Sequence, residues 1–403
     1  MDWAYLLDWA NLLLRWAHVI TAIAWIGSSF YFVFLDSSLT KPTAPDLQAK
    51  GVDGEIWAVH GGGFYNPQKY LVAPKALPEK LHWFFWESYS TWLTGFALFT
   101  VLYLFNASSF LIDPRVHAWG SPGLAVGAAL GFLFAFWLIY DLLCRWLGEQ
   151  DGKVGGDLKV GVALFAVVVA ASWAACQLFA GRAAFLIVGA MLATAMSANV
   201  LVWIIPGQRK VIAQMKAGEK VDPLHGQRAK QRSVHNTYFT LPVLVAMLSN
   251  HYGFLYQGAQ NWLVLVALML AGALIRHSFV ARHKALVEGR RVPWEQAGVG
   301  VALLLGLAIW LAPAARPVAT APAPAAVSLA QVQAVLQQRC VLCHGETVQN
   351  KGVALHTPAL IHQHAQGVYQ QAVVARAMPL NNATQMTDEE RALIQRWFEA
   401  GAK

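Results

Sequence analysis

PGLAVGAALGFLFAFWLIYDLLCRW, residues 122–146, carries no charged side chain from Pro122 to Tyr140. A helix needs about 20 mostly apolar residues to cross the hydrocarbon core of a bilayer. This stretch is long and apolar enough to do so. Seven further runs share the pattern, at about 11–35, 88–106, 159–180, 183–206, 237–256, 261–280 and 297–313. The fourth and fifth spans meet in a tight turn at Gly181-Arg182. The whole chain agrees: of its 403 residues 57% are hydrophobic and 13% charged, against about a quarter charged in soluble proteins. The fold class expected is all-α, a polytopic membrane bundle of eight transmembrane helices over residues 1–311.

Lys and Arg placement sets the expected orientation. Segment 36–86 holds Lys41, Lys50, Lys69, Lys75 and Lys80. Segment 207–236 holds Arg209, Lys210, Lys216, Lys220, Arg228, Lys230 and Arg232, and segment 281–296 holds Arg282, Lys284, Arg290 and Arg291. The alternate connections are nearly bare, with Arg115 in one and Arg182 in another. These counts put the basic connections in the cytoplasm and both termini outside. The net charge of +8 follows from orientation and calls for lipid, not nucleic acid, as the partner. The first span is too long for a cleaved signal and reads as a retained anchor.

Residues 312–327 form an Ala/Pro linker, extended and semi-rigid by composition. Beyond it, at 328–403, Cys340-Val341-Leu342-Cys343-His344 is the C-x-x-C-H signature of c-type haem. The two thiols attach the macrocycle, and His344 becomes an axial iron ligand. A zinc half-site is the alternative, but no second Cys pair follows Cys343. A helix at 328–338 leads into the motif, and 387–400 reads as a final helix with Thr387 and Glu390 at capping-box spacing. Together they resemble a small class I cytochrome c domain. Met378 is the expected sixth ligand and Met386 the runner-up, while His356, His362 or His364 would give a bis-His iron. The orientation places this domain on the outer side, where c-type haem belongs. Cys144 and Cys176 fall inside spans as buried thiols, and no structural disulfide is expected.

Ionisable side chains inside spans are functional candidates. An outer group contains His18 and His251. An inner group contains Asp36, Glu87, Asp141, Arg145, His235, Asn236, Arg276 and His277. Snorkelling or helix-end capping accounts for Arg145 and Asp36, and less well for the side-by-side pairs His235-Asn236 and Arg276-His277.

Two patterns resemble known families. The segment RWAHVITAIAWIGSSFYF, residues 15–32, resembles first spans of bacterial membrane families in which the His is a haem-ligand candidate. HWFFWESY at 82–89, HNTYFTLP at 235–242, SNHY at 249–252 and Arg276-His277, with the C-terminal motif, resemble the bacterial membrane-bound urate hydroxylases, the PuuD type of urate oxidase. The resemblance covers essentially the whole chain, although no motif of the membrane half is as specific as C-x-x-C-H. It implies an oxidoreductase of purine catabolism that converts urate to 5-hydroxyisourate. Electrons would pass to one covalent haem c, and onward to a periplasmic cytochrome c or cytochrome oxidase. Urate is a planar anion rich in donors and acceptors. Arg276 is a candidate clamp, Asn236 and Thr237 candidates for the ring edges, and Trp83, Trp86 or Tyr238 for stacking. Glu87, His235 or His277 would take the proton. If urate reacts at the inner face, a route across about 30 Å of hydrocarbon calls for a relay; the alternative is a substrate site that opens toward the outer face, with no haem b. Haem b ligated by His18 and His251 would supply that relay, with His277 and either His82 or His235 as a second pair. Competing readings are a quinol or porphyrinogen dehydrogenase and a non-enzymatic haem c electron-transfer subunit.

Overall fold

In a computed structural model the described residues are 3–312 and 327–402. Apart from its two end residues, the expected linker lies outside them. Helix α1, Trp3–Ser38, is followed by α2, Trp86–Phe99, which runs on into a π-turn at Thr100–Leu104. Next come α3, Pro122–Gly148, and α4, Asp157–Leu178. Helix α5, Gly181–Ala198, continues through a π-turn at Asn199–Ile204 into α6, Ile205–Lys216. The bundle closes with α7, Pro223–Leu248, α8, Asn261–Val287, and α9, Glu295–Trp310. Starts are chemically marked. Ser121 accepts from the Leu124 amide ahead of Pro122, and Asp222 accepts from the Leu224 amide ahead of Pro223.

Among the described residues, five helices are long and apolar enough to cross a membrane: Trp9–Ser38, Pro122–Gly148, Asp157–Leu178, Gly181–Lys216 and Asn261–Val287. This is consistent with a membrane protein. The other three expected spans fall short for identifiable reasons. Helix α2 has 14 residues before its π-turn. Helix α9 is apolar but has 16 residues, about 24 Å at 1.5 Å per residue. Helix α7 starts well before the expected boundary of 237, because its polar first half packs inside the protein: Gln231, Arg232 and Asn236 are all buried.

Helix α5 is the centre of the main core. Ala183, Ala184, Phe185, Ile187, Val188 and Met191 along it are fully buried. Small residues let its neighbours approach closely. A Cβ on Gly189 would lie 2.8 Å from the Ala246 Cβ of α7, and one on Gly181 would lie 2.4 Å from the Tyr256 carbonyl. Helix α1 packs along α2 and α8, leaving Leu12, Trp16, Ile20 and Ile23 exposed. One end of the bundle is basic. There Lys69 and Lys230 both pair with Asp36, and Arg228 pairs with Glu149. At the other end Arg182 (3.1 Å) and Tyr103 (2.9 Å) donate to Asn250 Oδ1.

Residues 327–402 have their own core of Val332, Leu336, Ile361, Ile394 and Trp397. The expected terminal helices are there as α10, Leu329–Arg339, and α11, Asp388–Glu399, each opened by a capping box, Ser328/Gln331 and Thr387/Glu390. This unit meets the less basic end of the bundle, where Gln257 Nε2 donates to the Arg376 carbonyl at 2.9 Å.

Candidate active site

The basic end is organised around Asp141 of α3, itself buried. Its Oδ1 accepts from Arg232 at 2.8 Å and from the Trp203 indole at 2.7 Å, and its Oδ2 meets Arg145 at 2.8 Å. Three guanidiniums, of Arg145, Arg228 and Arg232, lie 5.0, 5.7 and 5.2 Å from the Trp203 ring. An open cleft of about 390 Å³ borders this group, lined by Arg145, Glu149, Asp151, Gly152, Trp203 and Arg228. The Arg228 guanidinium beside Glu149 holds that carboxyl below the usual carboxylate range.

One turn deeper lies a second network. Tyr140, fully buried on α3, has its hydroxyl 2.9 Å from His235 Nδ1. Asn199, fully buried at the α5 π-turn, donates to that hydroxyl at 2.9 Å and to Asn236 Oδ1 at 2.9 Å. Asn236 in turn donates to the Met196 carbonyl at 3.0 Å. Such π-turns occur often at functional sites, and this one delivers both Asn199 and Trp203.

Arg276 occupies a third setting, between α8 and α1. It is 8% exposed, and its guanidinium carbon lies 3.7 Å from the centroid of the Phe30 ring. Neither Nε nor Nη2 has a hydrogen-bond partner among the described residues. Beside it on α8, His277 shares a 2.8 Å contact between Nδ1 and the Tyr238 hydroxyl. Glu87 is half-buried in the first turn of α2, Arg209 lies 6.0 Å from the Trp83 ring, and exposed His82 packs edge-on against Phe84.

Each of the expected haem-ligand histidines in the bundle has its own surroundings. His235 faces Tyr140 of α3, while His277 faces Tyr238. His18 turns to α2, where Nδ1 donates to the Thr91 carbonyl at 3.1 Å. A Cβ on Gly95 would lie 2.7 Å from the His18 ring, so this glycine makes room for it. His251 is exposed at the less basic end. His18 is left with Nε2 bare, the tautomer an iron ligand needs.

Residues 4–312 match a family described as urate oxidase N-terminal. The chain belongs to that family. No curated protein and no solved structure matches it. The match ends before the C-terminal unit, whose residues speak for themselves. Cys340 and Cys343 are free thiols on the turn that carries His344, whose Nδ1 donates to the Val353 carbonyl at 3.1 Å. Two thiols and an imidazole with a bare Nε2 are the donor set that haem c requires. Met378 is half-buried, and its carbonyl accepts from buried Arg391 at 2.9 Å; Met386 packs into the small core. His356 has a buried Nδ1 with no partner among the described residues.

In this urate oxidase relative, sequence reasoning missed Tyr140, Asn199, Trp203 and Arg232. Tyr140 and Asn199 sit in apolar runs where a single polar residue gives no periodic signal. Arg232 was counted as a loop cation. A signal was available at 140–145, where Tyr, Asp, Cys and Arg interrupt an otherwise apolar helix.

Proposed function

We propose that the chain is a membrane-bound urate hydroxylase of the bacterial inner membrane. It converts urate and water to 5-hydroxyisourate, releasing two electrons and two protons. Cys340 and Cys343 of a periplasmic C-terminal domain would hold a covalent haem c, with His344 and Met378 as its iron ligands. When bound, that group would supply a one-electron acceptor, needed twice per urate and reoxidised by a respiratory cytochrome or oxidase.

The observation that carries the substrate assignment is Arg276. A buried charge left without a partner is strongly unfavourable, yet this guanidinium keeps two nitrogens unpaired beneath an aromatic ring. A planar anion rich in acceptors supplies what the site lacks: opposite charge and acceptors for a fork of N–H groups. Urate has that chemistry, and the family match supports it. Tyr238 and His277, adjacent on α7 and α8, are the nearest proton-transfer candidates. Glu87, His235 and Asn236 are the remaining members of the proposed site. His18 is the residue best prepared to ligate a haem b in the bundle, with His251 on the same half.

Anaerobic addition of urate to oxidised membranes tests this reading. Prompt appearance of reduced c-type haem is expected. Reduction by quinol but not by urate would identify a quinol dehydrogenase instead, and reduction only through a second protein would identify a carrier. A pyridine haemochrome spectrum of the purified chain counts the haems, and c-type haem alone would remove His18 and His251 from the cofactor set.

A further inference from the structure

The hydrogen bonds behind His235 fix its protonation as well as its position. The Met196 carbonyl only accepts, so Asn236 presents Nδ2 to it and turns Oδ1 toward Asn199. Asn199 must then present its own NH2, and this nitrogen serves both Asn236 Oδ1 and the Tyr140 hydroxyl. The Tyr140 oxygen is therefore an acceptor toward Asn199, and its own proton needs an acceptor elsewhere. Tyr140 is fully buried, and His235 Nδ1 stands 2.9 Å away. Cys144 lies against both the Tyr140 hydroxyl and the same Nδ1, 3.7 Å from the latter, but a thiol sulfur is a weak acceptor and does not compete with an imidazole nitrogen for the phenol proton. Tyr140 thus donates to Nδ1, and neutral His235 carries its proton on Nε2.

Charged neighbours do not reverse this. Arg232, one turn away on the same helix, is a cation and offers the ring no acceptor. Asp141 is taken up by Arg232 and Arg145, and Asp157 of α4 accepts from Gln231 at 2.9 Å. His235 is only half-buried, and among the described residues no group accepts from its Nε2. The network is also incomplete on its inner side: Asn199 Oδ1 and Arg232 Nη1 are buried without partners, one acceptor and one donor.

We infer that Tyr140 and Asn199 are positioning residues that hold His235 as a neutral Nε2–H hydrogen-bond donor toward a carbonyl or oxyanion oxygen of the substrate. His235 is then neither the general base nor an iron ligand. The inference rests on the urate reading for the identity of the oxygen, and on the hydrogen-bond chain alone for the tautomer.

Two measurements on the full chain in lipid separate these parts. With histidine ring nitrogens labelled, 15N NMR reads each tautomer directly. The His235 pair is identified by its loss in His235→Gln and, independently, by its shift in Tyr140→Phe. Nε2 protonated and Nδ1 bare is the result expected; protonation of Nδ1 overturns the inference. Urate-driven haem reduction then tests the donor role. Glutamine places an N–H near the former Nε2 but cannot act as a base, so His235→Gln should keep about a tenth or more of the rate. His235→Ala should lose about 100- to 1,000-fold, as when one transition-state donor is removed. Equal losses in the two variants would overturn the donor role. A wild-type chain unresponsive to urate would overturn the substrate and that role together, while the NMR result still decides the tautomer.

Discussion

The C-terminal unit and the bundle each anchor a histidine through Nδ1, with opposite chemical results. His344 donates its Nδ1–H to the Val353 backbone carbonyl in a hydrogen bond, which leaves Nε2 bare for a metal. His235 instead accepts a hydrogen bond from the Tyr140 hydroxyl, because Asn199 already donates to the phenol oxygen. His18, donating to the Thr91 carbonyl, sides with His344. A carbonyl has no proton to give, so it dictates the ligand tautomer; a hydroxyl whose lone pair is taken dictates the other. What lies behind the ring therefore sorts this chain's histidines more sharply than their depth or their neighbours in sequence.

Disabling the carbonyl-anchored side should have the largest effect. Replacing Cys340 and Cys343 together by alanine is expected to abolish covalent haem and, with it, all urate-dependent haem reduction. Haem staining of denatured protein on a gel checks the first loss and anaerobic spectroscopy the second. Retained covalent haem in that variant would place the attachment elsewhere.

In the bundle, Arg276→Met is next in size. It removes a charge-assisted contact of about 1.5–3 kcal/mol, so urate affinity should fall about 10- to 150-fold at 1.4 kcal/mol per tenfold. The same change removes an uncompensated buried charge and should leave thermal stability unchanged or higher. Loss of affinity with retained stability marks a ligand-binding cation. Loss of stability with unchanged affinity would show that Arg276 serves packing against Phe30 instead.

The two regions also differ in how far the sequence discloses them. In the C-terminal unit the signals are local. C-x-x-C-H lies within five residues, and both capping boxes within four, so the helices at 329–339 and 388–399 fall within one residue of the expected bounds. In the bundle the apolar runs marked the helices, but the boundaries of α7 and α2 moved, because a hydropathy pattern cannot tell a polar helix end buried in protein from one in water. The site is less legible still. Asn199, Tyr140 and His235 lie 36 to 95 residues apart and meet only through packing of α3, α5 and α7. His235, Asn236, Arg276 and His277 stood out as polar residues in apolar surroundings. Their partners did not.

Arg391 offers a smaller perturbation of the C-terminal side. Its guanidinium donates to the carbonyls of Ala372 and Met378 and so ties the Met378 loop to α11. Arg391→Leu removes charged hydrogen bonds of about 1.5–3 kcal/mol. The unit should melt earlier, and the thioether-ligated spectrum should weaken while covalent haem remains. An unchanged spectrum in a destabilised unit would turn the choice of sixth ligand toward Met386 or His356.

The smallest effect expected is a pH dependence confined to the C-terminal unit. Burial opposes ionisation of Glu390, but the Arg339 guanidinium at 2.9 Å and the Thr387 amide outweigh it and hold the carboxyl below its usual range. A carboxyl depressed in the folded state binds fewer protons than in the unfolded chain. Its contribution is therefore complete above the usual carboxylate pKa and is lost as the pH falls through the folded value. A pair this close to solvent contributes on the order of 1 kcal/mol or less. Melting of the unit between neutral pH and about pH 3 should steepen in this acid window for the wild type and flatten in Glu390→Gln, with the bundle unaffected by that substitution. If Glu390→Gln melts with the wild-type slope throughout, the junction of α10 and α11 rests on the apolar contacts around Trp397 and Leu336 alone.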